Sequence, residues 1–231
     1  MTCWRIIEEV GLASDVHAQP MLYVSERTAR IVDVTRSALV LGSRQRVGSV
    51  DAGALDALNA ELVVRRSGGG AVFLYPGGQM WADLALPKSD PLFDDDIRKS
   101  ALTVGEVFLR LFSSLGCEEL EMHTGGLTGG DVGQTICFGG LGPGELTLEG
   151  AKVVGISQRR TAQGVVFQCT VYIRYPLEET HLLMSGAGIN LPEPGYALGI
   201  AQISDEFGAM TEAEARTRLK DSFIDALNAL C

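Results

Sequence analysis

The chain has 231 residues, 46% of them apolar and 21% charged, with a net charge of −10. That is enough chain for one large core of ordinary globular composition. The acidic balance excludes nucleic acid as a bulk partner, because a phosphate backbone demands a cationic footprint.

The cysteines Cys3, Cys117, Cys137, Cys169 and Cys231 show no C-x-x-C spacing. The histidines His17, His123 and His181 are scattered, and none has a metal-ligand partner three or four residues after it. A disulfide framework, a zinc site and a histidine-rich metal centre are not expected, and a reducing cytoplasm is. The opening MTCWRIIEEV carries acids where a leader peptide needs an apolar run. No segment reaches the roughly eighteen consecutive apolar residues of a membrane span.

In chain order, IVDV (31–34) and ALVLGS (38–43) read as short buried strands. DAGALDALNA (51–60) reads as a helix with Asp51 as N-cap and Leu55 and Leu58 on one face. LVV (62–64) and AVFL (71–74) read as strands, and QMWADLAL (79–86) as a strand ended by Pro87. A long helix follows from Ile97, with Ala101, Val104, Phe108, Leu111 and Leu115 on one stripe. Asp94, Asp95 and Asp96 sit at its positive end and Gly116 closes it.

ELEMH (119–123), TICF (135–138), ELTLEG (145–150), KVVGIS (152–157) and GVVFQCTVYIRY (164–175) read as further strands. The last helix opens on a capping box at Thr211, and its stripe is Leu219, Phe223, Leu227 and Leu230. Strands joined by short turns, with helices inserted between groups, predict an α+β fold. Its sheet is mixed and largely antiparallel, with flanking helices. A single domain over residues 1–231 is expected, ending one helix past its core with no C-terminal accessory domain. The Gly-rich stretch 123–147 is long enough to be functional.

The segment ELVVRRSGGGAVFL (61–74) puts two cations and three glycines between two strands. The P-loop pattern is absent, and GGLGPG (139–144) leads into strands, without the helix N-terminus that would hold a pyrophosphate. The backbone N–H groups of Ser67, Gly68, Gly69, Gly70 and Ala71 can form a nest around an anion, with Arg65 or Arg66 facing it. A Gly-rich hairpin with exposed arginines fits the same residues.

RRSGGGAV resembles the signature loop of the lipoate–protein ligase family, which is related to biotin ligases and octanoyltransferases. ALVLGSRQ (38–45) and ELTLEGAKVVGISQRR (145–160) stand in the family's order, so the resemblance spans roughly residues 36 to 175. It implies a lipoate/biotin ligase-like catalytic domain. Lys152 would be the catalytic lysine on the activated acyl group. The 65–71 loop and Gly155 would hold the acyl adenylate, and Glu145 would bind magnesium. ATP, Mg2+ and lipoate or octanoate would be the cofactor and substrates. The acceptor would be a lysine of the lipoyl carrier domain of a 2-oxoacid dehydrogenase or glycine cleavage protein.

A second pattern lies inside the same segment. Cys137 and Phe138, then Glu145, Leu146, Lys152, Gly155, Gln158 and Arg160, resemble a subgroup of octanoyltransferases. There a cysteine takes the acyl group from acyl carrier protein and passes it to a protein lysine without ATP. Two departures stand out: Leu74 and Tyr75 replace the family's His-Asp, and Gln168, Cys169 and Thr170 replace its His-Gly-Thr. The ligase reading leads, a Cys137-dependent transferase follows closely, and a non-enzymatic acyl or adenylate binder remains.

Overall fold

The computed structural model describes residues 3–21 and 24–229. Among the described residues, ten strands form two sheets: β1 (Arg5–Gly11), β2 (Thr28–Val34), β3 (Ala38–Leu41), β4 (Glu61–Val64), β5 (Val72–Leu74), β6 (Gln79–Pro87), β7 (Glu121–Met122), β8 (Leu146–Leu148), β9 (Ala151–Arg160) and β10 (Gly164–Tyr172). The large sheet runs β1-β2-β6-β10-β9-β8-β7 and the small one β4-β3-β5. Only β1–β2 and β3–β4 pair in parallel, so the fold is the largely antiparallel α+β type expected.

The helices are α1 (Ala13–Ala18), α2 (Ala52–Ala57), α3 (Ile97–Ser114), α4 (Gly130–Thr135), α5 (Leu177–Leu183), α6 (Ile200–Ile203), α7 (Asp205–Gly208) and α8 (Glu212–Asn228). Their expected starts are present: Asp51 accepts from the Ala54 N–H, Asp96 from Arg98 and Lys99, and Thr211 with Glu214 closes a capping box. Each satisfies N–H groups that a helix start otherwise leaves without partners.

α3 and α8 cover one face of the large sheet, where Phe108 stacks on Phe223 at 5.3 Å. The small sheet covers part of the opposite face through Val40, Val63, Leu74 and Trp81. β6 is the shared wall: Met80, Ala82, Leu84 and Leu86 enter the helix-side core, while Trp81 turns toward the small sheet. Every residue of β6 is therefore buried. Apolar/polar alternation is replaced by two apolar environments, and the one charge, Asp83, must find buried partners.

Several local expectations change. TICF is not a strand. α4 ends at Thr135 and Cys137–Gly139 forms a 3-10 turn, leaving only a single bridge between Ile136 and Ala71. The chain enters α4 through Gly129 at φ 88°, a turn that the apolar pattern of TICF does not encode. β1 and α1 lie in a stretch where no element was expected, and α1 has no side-chain N-cap to announce it. ELEMH shortens to β7, the strand expected over 164–175 ends at Tyr172, and KVVGIS lengthens into β9. Leu230 and Cys231 lie outside the described residues. Among those described, no helix is long and apolar enough to cross a membrane.

Candidate active site

The glycine loop leaves β4 through Arg65 and Arg66. Strand alternation turns Arg65 inward and Arg66 to solvent. Arg65 is 4% exposed and braces the loop. Its Nη2 donates to the carbonyls of Gly68 at 2.9 Å and Gly70 at 2.8 Å, and its Nη1 to that of Val40 at 3.3 Å. The loop is thus wrapped around its own guanidinium.

The glycines serve backbone-to-backbone packing. Gly69 sits at φ +98°, and a Cβ on Gly42 would collide with its carbonyl oxygen. A Cβ on Gly70 would lie 2.5 Å from the Ile136 carbonyl carbon and 2.6 Å from the Cys137 nitrogen. The Ala71 N–H donates to the Thr135 carbonyl, and the Cys137 N–H to the Ala71 carbonyl, each at 2.9 Å. Gln45 fastens the same corner, accepting from the Gly42 N–H at 2.8 Å and donating to the Thr135 carbonyl at 2.9 Å. The loop therefore grips the segment that presents Cys137.

Cys137 is half-buried, and its Sγ lies 4.0 Å from the Lys152 Nζ. Lys152 is buried, only 2% exposed. Its ammonium donates to the carbonyls of Cys137 at 2.8 Å and Gly140 at 3.0 Å, and pairs with Glu145 Oε2 at 2.7 Å. The Phe138 ring lies beneath it at 5.2 Å. Gly155 makes room for that ring: a Cβ there would meet it at 3.0 Å.

Glu145 accepts from the Gly142 N–H at 2.6 Å through the oxygen that pairs with Lys152, and from the Ile156 N–H at 2.8 Å through the other. Both oxygens are engaged, so the expected magnesium role does not fit this geometry. No group of three His, Cys, Asp or Glu side chains converges as a metal site among the described residues.

The cleft opening beside Cys137 lies between the two sheets. Val40, Val72, Leu74 and Trp81 give it apolar walls, and Gly155, Ser157, Gln168 and Thr170 line its large-sheet side. An adjoining chamber shares His17 and Gln168 with it and is lined by Ser67, Arg66 and Arg159. Of the expected residues, the cleft brings together Cys137, Arg65 and Gly155, and Lys152 meets Cys137 there. Arg66 and Ser67 belong to the second chamber. Gly68 and Gly69 shape the loop, and Gly70 and Ala71 back Cys137. Cys169 is buried in the helix-side core, where burial pushes its thiol well above the usual range.

His17, Trp81, Asp83 and Arg30 were not anticipated. They sit on three elements, α1, β6 and β2, and nothing in their local sequence marks them as neighbours. His17 stacks on Trp81 with ring centroids 4.9 Å apart. Burial, aided by the nearby Arg65 and Arg30, lowers its pKa from 6.5 to about 4. The native imidazole is therefore neutral between those values while the unfolded one takes up a proton. Stability should rise with pH across that window, and be lost on acidification, by on the order of 3 kcal/mol. His17→Gln should flatten the slope of unfolding free energy against pH between pH 4 and 6.5. An unchanged slope in urea titrations would assign the acid sensitivity elsewhere.

The description lipoyl protein ligase A/B catalytic domain belongs to a family model that matches residues 17–224. No curated protein sequence matches the chain. The T. acidophilum protein Ta0514 with bound lipoic acid superposes with a TM-score of 0.70 at 16% identity, covering 98% of this chain and 86% of that one. A lipoate-protein ligase A bound with ATP gives 0.70 at 17% identity, with the same coverage of 98% and 86%. A bipartite lipoate protein ligase from Thermoplasma acidophilum, from a study that includes its E2 lipoyl domain, gives 0.67 at 15%, covering 98% and 84%.

Proposed function

The chain belongs to the lipoyl protein ligase A/B catalytic-domain family, and on that premise we propose that it transfers a lipoyl or other medium-chain acyl group to a lysine of a lipoyl carrier domain, through a thioester on Cys137. The observation that carries this reading is the Cys137 sulfur 4.0 Å from a buried ammonium, at the wall of an apolar cleft.

In the first step the Cys137 sulfur attacks the carbonyl carbon of an acyl carrier protein thioester. A carbon–sulfur bond forms to Cys137 and the one to the carrier breaks. The carrier departs as a thiol, with the proton that Cys137 gave up. In the second step the neutral amine of the acceptor lysine attacks the Cys137 thioester. An amide forms, and the sulfur leaves with a proton from the amine. Lys152 provides a fixed cation for the oxyanion of each tetrahedral intermediate. Its three acceptors hold it in place beforehand, which limits reorganisation as charge develops.

A second reading keeps the ligase chemistry. Arg66 and Arg159 line the outer chamber, and neither has an ion-pair partner among the described residues. Together they suit the phosphate of an acyl adenylate made from ATP and a free acid. The E2 lipoyl domain of the archaeal neighbour supports a carrier domain as acceptor in either case.

Intact-protein mass spectrometry separates the two. After mixing with octanoyl carrier protein, an octanoyl adduct should appear on the protein and be absent from Cys137→Ser, and that variant should lose nearly all turnover. The serine hydroxyl is a far weaker nucleophile without a strong base. No adduct, with ATP-dependent modification of a lipoyl domain retained in Cys137→Ser, would replace the thioester route with the adenylate one. No modification under either condition would leave a binder.

A further inference from the structure

A polar row crosses the part of the large sheet that lines the two chambers. Ser157 on β9, Gln168 on β10, Asp83 on β6 and Arg30 on β2 stand opposite one another in register on four adjacent strands. The row one step nearer Lys152 is Gly155, Thr170 and Trp81. The Lys152 Cε lies only 3.6 Å from where a Gly155 Cβ would be, so the reactive centre sits at that nearer level. Two residues along a strand are about 7 Å. A medium-length acyl chain laid from Cys137 therefore meets the polar row near its far end.

Most of the row is satisfied internally. Arg30 pairs with Asp83 at 2.5 Å and with Glu9 at 3.2 Å, and the Trp81 indole N–H donates to Asp83 at 2.8 Å. Ser67 Oγ donates to Gln168 Oε1 at 2.8 Å and lies 3.2 Å from Ser157 Oγ. Those bonds fix the Gln168 amide with its oxygen occupied. Its nitrogen has only long contacts, 3.4 Å to His17 Nδ1 and 3.5 Å to Asp83 Oδ1. A half-buried donor with two weak acceptors faces the space between the chambers. A saturated chain end would cover that donor and give nothing back. An oxygen on the chain would accept from it.

We propose that Gln168 is a specificity-determining residue that makes the cleft select an acyl chain carrying a neutral oxygen, hydroxyl or keto, near its distal end. The saturated chain of equal length is the disfavoured substrate. This selectivity rests on the cleft being the acyl site, but not on which activation route the protein uses.

Isothermal calorimetry with octanoate and its ω-hydroxy analogue tests it on the whole chain. The hydroxy acid should bind wild type about tenfold more tightly, the worth of one well-placed hydrogen bond. In Gln168→Leu the ratio should fall to about one or invert. Gln168→Met serves if the leucine variant does not fold. Equal or tighter binding of octanoate to wild type overturns the proposal, and so does a ratio that survives in the variant or a failure of either acid to bind. Binding preference without acyl transfer would instead reject the transfer reaction and leave the selectivity standing.

Discussion

Lys152→Ala is expected to lose acyl transfer by about 10²–10³-fold, the usual effect of removing one preorganised electrostatic contact to an oxyanion; the three Lys152 N–H groups are already taken, so the ammonium acts through its charge. It should also lose stability by roughly 3–5 kcal/mol, because the buried Glu145 carboxylate would be left without its cation. The two effects have separate causes and can be separated. In a Glu145→Gln/Lys152→Met double variant the charge pair is removed as a unit, and most of the lost stability should return. Activity should not. Denaturant titration and a transfer assay on the three proteins decide this. A stable Lys152→Ala protein would show that the ion pair does not hold the 140–145 segment in place. An active double variant would remove Lys152 from the chemistry altogether. Lys152→Arg should fail as well, since a planar fork cannot fit among the carbonyls of Cys137 and Gly140 and the Glu145 carboxylate.

Gly70→Ala is expected to damage the active site through a single added methyl. The added carbon would sit within 2.8 Å of backbone atoms of Gly133, Ile136 and Cys137, none of which can rotate away. Overpacking of this kind costs typically about 1–3 kcal/mol and sometimes more. Here the strain falls on the Ala71–Ile136 bridge and so on the position of the Cys137 sulfur. Activity should fall by more than the loss of stability explains, measured well below the melting temperature. Gly68→Ala is the control, since a Cβ there meets nothing within 4 Å. Equal behaviour of the two variants would refute the idea that the loop positions Cys137.

The strands and capped helices were legible because each rests on a local signal: Asp51, Asp96 and Thr211 announce their helices, and IVDV and ALVL their strands. Lys152 and Cys137 were legible through the spacing of a motif. Their contact was not, since it depends on a turn at Gly129 that places the 3-10 segment over β9. The glycine loop showed that a close approach was needed but not that its partner is the chain itself. Arg65 read as a candidate ligand contact and turns out to brace the loop, because alternation gives the side of a strand but not what waits there. The polar row was the least legible feature. Ser157, Gln168, Asp83 and Arg30 lie on four different strands, and only the pairing register gathers them.

β6 has a consequence for how such a cleft changes over generations of substitution. Its residues face the helix-side core and the cleft in turn, so no alteration on one side is invisible to the other. A methyl gained at Ala82 to tighten the core would shift Trp81 and Asp83, and with them the shape offered to the acyl chain. Selection for robustness and selection for diet thus act on one nine-residue strand. A lineage that changes what it accepts would be expected to carry compensating substitutions in α3 and α8, on the far side of the sheet from anything its substrate touches.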